Sequence, residues 1–198
     1  MVISKEELAR ITSARCGLPH DLLGMHKCRG EIVVRAYIVN AAKCWLVDLR
    51  KSSDVPKEMK KLDPSGFFEI FIKNARKPFP YRFRVERYDG QIRESADPYS
   101  FAPSLTDDEL YLFGKGDDRK IYEHLGSHIR EIDGVRGTAF AVWAPTARRV
   151  SVVGDFNEWD GRYAQMRALE SSGVWEFFLP DVGDGAKYKY EILAANND

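Results

Sequence analysis

Apolar and polar residues alternate along "YRFRV" at 81–85 and again along "YKYEI" at 188–192. This puts Tyr81, Phe83 and Val85, or Tyr188, Tyr190 and Ile192, on one face, with charged residues on the other. Similar short β-rich runs occur at 32–39, 44–49 and 67–72 in the first half, and at 139–143, 150–153 and 174–179 in the second. With 81–88 and 188–193 they predict four principal strands per half, separated by turn clusters. Short strands spaced in this way imply antiparallel sandwiches. Each half opens differently: Ser4-x-x-Glu7 and Thr106-x-x-Glu109 are capping boxes ahead of apolar residues, so each predicts a short helix. The second helix is expected to stop by Gly114, and another short one to run over 118–125.

The halves repeat one another. "SKEEL…DLLGMH" answers "TDDEL…EHLGSH" at an offset of 102 residues, His26 against His128. "AYIVNAAKCWLV" from Ala36 answers "AVWAPTARRVSV" from Ala141 at 105, which pairs Val47 with Val152. "MKKLDPSGFFEIFI" from Met59 answers "MRALESSGVWEFFL" from Met166 at 107. The drift means small insertions, which belong in loops, and a period near 100 indicates duplicated domains rather than a solenoid. The fold expected is all-β: two tandem β-sandwiches with short helical lead-ins, at 1–104 and 105–198. "DPYSFAPSL", 97–105, serves as the linker.

Duplication separates scaffold from function. Features present twice, such as Gly66/Gly173, Phe68/Trp175 and Met59/Met166, are assigned to turns and core. Between matched strands, however, the first copy reads "DLRKSSDVPKE" and the second "VGDFNEWDGRYAQ". Only the second carries Phe156, Trp159 and Tyr163 in what is otherwise a polar turn. Phe156, two residues after Gly154, is expected in the core. Trp159 has two readings: it folds back on its own sandwich, or it is exposed as a platform for a ligand. A sugar suits the second, because its C–H faces pack on an indole while Asn157, Asp155, Lys189 or Arg162 meet its hydroxyls.

Composition narrows the partners. Thirty basic and thirty acidic residues cancel across 198, so no net field recruits nucleic acid or anionic membrane. The basic run at 73–84 is explained by strand alternation. No apolar run approaches the roughly 20 residues that span a bilayer. "MVISKEELAR" has charges where a signal peptide needs its apolar segment. Cys16, Cys28 and Cys44, odd in number and without metal spacing, read as reduced thiols of a cytoplasmic protein. His124 and His128 lie four apart, but Gly126 between them and the lack of a third ligand favour a capping or core role over metal. "GKGDDR" lacks the Gly-Lys-Ser/Thr ending of a phosphate loop, and Asp117 and Asp118 read as helix caps. No cofactor, metal site or nucleophile–base set is expected.

"FAVWAPTARRVSVVGDFNEWDG" followed by "MRALESSGVWEFFLPDVGDGAKYKYEI" resembles carbohydrate-binding module family 48, a glycogen-binding, immunoglobulin-like sandwich. "ADPYSFAPSLTDDELYLFGKGDDRKIYEHLGSH" resembles the join between the two N-terminal domains of the bacterial 1,4-α-glucan (glycogen) branching enzyme family. The resemblance implies a parent that transfers α-1,4 glucan segments to 6-hydroxyls. It places the two catalytic carboxylates in a (β/α)₈ barrel of about 250 residues, which this sequence does not contain. It further implies α-glucan (glycogen or maltooligosaccharides) as ligand and the barrel as packing partner, with Trp159 for stacking and Lys189 as a polar contact. The family's second tryptophan after that strand is replaced here by "LAANND". The first copy carries Arg82 where the second has Lys189. At an offset of 107 the second copy stops before a counterpart of the "IRES" strand, so it is expected to lack its last strand. The alternative is an immunoglobulin-like protein-interaction module without sugar affinity, since fold alone does not fix function.

Overall fold

The computed structural model describes residues 3–50, 55–73 and 75–194. It divides into two compact units: Met1–Ser13 with His20–Ser100, and Ala14–Pro19 with Phe101–Asp198. Ala14–Pro19 joins the second unit because it pairs there, Ala168 N donating to Gly17 O at 3.3 Å.

The first unit begins with α1 (Lys5–Thr12). Its capping box is complete: Glu7 N donates to Ser4 Oγ at 3.1 Å, and Ser4 N to Glu7 Oε2 at 2.8 Å. The strands are β1 (Gly24–Cys28), β2 (Glu31–Tyr37), β3 (Ala41–Asp48), β4 (Lys57–Glu58), β5 (Lys60–Asp63), β6 (Phe67–Ile72), β7 (Tyr81–Arg87) and β8 (Ile92–Ser95). They form two antiparallel four-stranded sheets, ordered β1-β2-β6-β5 and β4-β3-β7-β8. Ile32, Val34, Ala36 and Phe68 of one sheet pack with Cys44, Leu46, Tyr81 and Phe83 of the other. The alternation read from 81–85 is therefore inward for Tyr81 and Phe83. Gly66 joins β5 to β6 at φ 112°, and a Cβ there would collide with the Ile38 carbonyl. Only glycine meets both conditions.

The second unit repeats the plan with α2 (Asp107–Lys115), β9 (Gly126–Ile132), β10 (Val135–Trp143), β11 (Ala147–Gly154), β12 (Arg167–Leu169), β13 (Val174–Pro180) and β14 (Tyr188–Ala194). The order β12-β13-β10-β9 mirrors β5-β6-β2-β1, and β11-β14 mirrors β3-β7. The hydrogen bonds repeat as well: Met59 N donates to Cys44 O at 2.8 Å, and Met166 N to Val150 O at 2.9 Å. β7 pairs with both β3 and β8, whereas β14 pairs with β11 alone among the described residues. Residues 195–198, where a last strand was expected to be cut short, lie outside the described residues.

The register moves one sequence match. Asp48 sits opposite Tyr81 and Gly154 opposite Tyr188, so Leu46 rather than Val47 is the counterpart of Val152. Both are fully buried.

Two helix expectations fail. The helix expected at 118–125 is a single 3₁₀ turn, Ile121–Glu123. α2 runs past Gly114 and ends at Gly116, whose φ of 74° places it in the left-handed cap position. The matched "LLGMH" and "HLGSH" prove to be entries into strands β1 and β9, each starting at a glycine of positive φ (Gly24, 91°; Gly126, 102°). In each, a histidine Nε2 donates back across the turn: His26 to Leu23 O at 2.7 Å, and His128 to Leu125 O at 3.0 Å. All three cysteines are buried, and none is in a disulfide. Among the described residues, no helix is long and apolar enough to cross a membrane.

Candidate functional site

β11 ends at Gly154, where any Cβ would collide with the Lys187 carbonyl and the Phe156 ring. The chain then makes a 3₁₀ turn, Asp155–Asn157, followed by two consecutive left-handed residues, Glu158 (φ 58°) and Trp159 (φ 60°). Non-glycine residues rarely adopt this conformation, and it persists only where surrounding contacts enforce it. Those contacts are present. Asn157, 6% exposed, accepts from Gly154 N at 2.8 Å through Oδ1 and donates through Nδ2 to Val152 O at 2.9 Å. Trp159 N donates to Gly154 O at 3.0 Å.

These bonds sort the expected site residues. Trp159 is 42% exposed, which favours the platform reading, and its Nε1 donates to Asp155 Oδ1 at 3.0 Å. Asp155 thus orients the indole. Phe156 turns inward, its ring 6.0 Å from that of Phe140. Asn157 is a correction: it is buried with both ends of its amide occupied by backbone, so it shapes the loop and does not face a ligand. Arg162 is exposed but chelates Asp160, with Nε 3.0 Å from each carboxylate oxygen and Nη2 at 2.6 Å. That guanidinium holds the Asp160 carboxyl below the usual carboxylate range. Lys189 is exposed on β14, opposite Val153 and one position from Tyr188, the partner of Gly154.

Beneath the loop is a feature that sequence reasoning missed. Gly161 is buried directly over an ion pair between Arg149 on β11 and Glu191 on β14. A side chain at 161 would strike the Glu191 carboxylate. The ion pair links residues 42 apart in sequence, so no local pattern announces it. The arrangement is a fixed, outward indole beside charged hydrogen-bonding groups, which suits a neutral hydroxylated ring.

Elsewhere, His124 Nε2 lies 3.3 Å from Glu109 Oε1. Asp118 caps its turn by accepting from Lys120 N at 2.8 Å. Among the described residues no group of three or more His, Cys, Asp or Glu is placed to hold a metal ion.

Two known domain families match the chain. Residues 4–99 match the N-terminal domain of alpha-1,4-glucan branching enzyme GlgB, and residues 124–198 match carbohydrate-binding module 48 (isoamylase N-terminal domain). The chain is 51% identical over 178 residues to the 1,4-alpha-glucan branching enzyme GlgB of Rubrobacter xylanophilus, covering 89% of this chain and 24% of that protein. It is 40% identical over 195 residues to the enzyme of the same name from Paramagnetospirillum magneticum, covering 98% and 25%. A third relative, from Myxococcus xanthus, is 41% identical over 186 residues, covering 94% and 25%. The chain therefore spans about a quarter of the length of these relatives. With one domain family following the other along its length, the chain has the make-up of an N-terminal region of an α-1,4-glucan branching enzyme.

Proposed function

We propose that the chain is the non-catalytic, α-glucan-binding part of a cytoplasmic branching enzyme, and that it packs on a catalytic (β/α)₈ barrel elsewhere in the parent protein. The parent would cut an α-1,4 glucan chain and transfer the freed segment to a 6-hydroxyl, using a carboxylate nucleophile and a carboxylic acid/base in that barrel. The observation that carries the reading is Trp159, exposed and locked by Asp155 and Gly154 on a loop whose counterpart in the first repeat has no aromatic residue in its sequence. The indole stacks on a glucose face. Lys189 and the Asp160–Arg162 pair border the same loop and strand end, and they meet its hydroxyls.

A maltoheptaose titration tests this. A shallow site of this kind predicts a dissociation constant of about 10 µM to 1 mM. Trp159→Ala should abolish binding at this site and leave the melting temperature nearly unchanged, since the ring is substantially solvated. Retained affinity in a folded Trp159→Ala protein would remove the loop from the proposal.

A further inference from the structure

The first unit also presents a tryptophan on the corresponding face. Trp45 lies on β3, where Cys44 and Leu46 point into the core. By alternation Trp45 points outward with Lys43 and Val47. It is half-buried. Its cross-strand neighbours are Glu58 on β4 and Arg84 on β7, and Arg84 in turn binds Glu94 on β8 through Nη2 at 2.6 Å. The Lys43 ammonium stands 6.0 Å from the indole centroid. The indole N–H has no hydrogen-bond partner among the described residues.

Beside this row the sheet opens. A register shift between Ala41 and Lys43 bulges β3, and bulges re-aim side chains near sites. Next to it is a cavity of about 350 Å³ lined by Ala42, Lys43, Glu58, Lys60, Lys61 and Phe68. That volume lies at the low end of small-molecule sites. Lys43 and Glu58 therefore serve two surfaces, flanking the indole and lining the cavity. Lys61 is fixed there, its Nζ donating to Ala41 O at 2.7 Å and Tyr88 Oη at 2.9 Å, with the Phe68 ring centroid 5.4 Å away. The lining thus combines donors, an acceptor and apolar area, with charge of both signs.

In register, Trp45 occupies the place of Ser151, which lies with Arg149 and Val153 on the face of β11 turned away from the sandwich core and is fully buried there beneath the segment of Gln165. Each unit therefore places a lysine and an Arg–Glu ion pair (Arg84–Glu94 or Arg149–Glu191) on the sheet face turned away from its core, a face that is half-buried at Trp45 and covered at Ser151. In the first unit the indole rises from the strand itself; in the second it is carried by the loop. We infer that the first unit holds a second α-glucan site, in which Trp45 stacks on one glucose ring and the Lys43–Glu58 cleft receives the hydroxyls of the next. The choice of α-glucan rests on the ligand class proposed for Trp159.

The test is an NMR titration of the intact chain with maltoheptaose, read on the four tryptophan indole N–H signals. The inference expects the Trp45 signal to shift saturably and to keep shifting in Trp159→Ala. Trp45→Ala, or Trp45→Leu if the smaller residue fails to fold, should weaken binding at this site by about tenfold or more. The Trp159 response should remain. If Trp159 saturates while Trp45 stays still, the second site is overturned and the loop site stands. If only Trp45 responds, the loop reading falls and the second site stands. Silence from both overturns both.

Discussion

Asp97 is 2% exposed, and its carboxylate accepts from Tyr81 Oη and from Tyr99 N at 2.9 Å. Burial outweighs both hydrogen bonds and pushes its pKa from 3.8 up to about 6. Well below pH 3.8 the acid is protonated whether the chain is folded or not, so its stabilising effect is complete there. Between pH 4 and 6 the folded state holds the proton more tightly, and stability falls as pH rises. The loss is about 3 kcal/mol by pH 7. Asp48 and Asp160, held low by Arg50 and Arg162, act oppositely, losing stability as pH falls. They are common to wild type and Asp97→Asn and cancel in the difference. Urea unfolding from pH 4 to 7 should show wild type weakening relative to Asp97→Asn across that window; a constant difference would mean that Asp97 ionises normally. No such burial is legible in "ESADPY". Trp159 was legible because the repeat supplied its own control. Asn157 was not, because the backbone groups that occupy its amide come together only when β11 turns.

At the level of strands, both repeats bury a glutamate 107 residues apart on equivalent strands, Glu69 on β6 and Glu176 on β13, and each finds an arginine by a different route. Glu69 pairs with Arg35 on the adjacent β2 at 2.8 Å. Glu176 pairs with Arg167 on β12 at 3.1 Å, and the two also hold the lead-in segment: Arg167 Nη1 donates to Phe101 O at 2.9 Å, and Ser104 N to Glu176 Oε2 at 2.7 Å. Glu176→Ala would leave the Arg167 charge buried and release Ser104 N, a loss of about 3 to 5 kcal/mol. Glu176→Leu combined with Arg167→Met should recover much of it, because the charge itself is removed. Denaturation followed by tryptophan fluorescence measures both; a loss below about 1 kcal/mol for Glu176→Ala would show the pair to be well solvated. The long strands were legible because one face of each is continuously apolar. β4, β5 and β12 were not, being only two to four residues long. β9 was missed because no residue in it is fully buried, so backbone pairing with β10 forms it without a hydrophobic pattern.

Across the whole molecule, the duplication seen in the sequence is a duplication of hydrogen bonding, with the changes of offset absorbed in turns. The capping boxes, the glycine–histidine strand entries and the sheet orders all recur. Charge does not recur in the same way: the 30 basic and 30 acidic residues cancel only as totals, and locally they sit as pairs such as Arg84–Glu94, Arg149–Glu191 and Asp160–Arg162. This balance bears on how ligand binding responds to salt. A neutral glucan brings no charge for salt to screen, and the ion pairs about each tryptophan are already closed without it. Maltoheptaose affinity at the Trp159 loop should therefore change by less than about twofold between about 0.05 M and 0.5 M sodium chloride, although the screening length falls severalfold over that range. A protein partner held through the same charged residues would behave differently, because charged rims set association rates that drop with ionic strength. Calorimetric titration at the two salt concentrations separates the cases. A tenfold loss of maltoheptaose affinity would show that the arginine–carboxylate pairs open to bind the sugar, and the closed-pair picture of the site would fall.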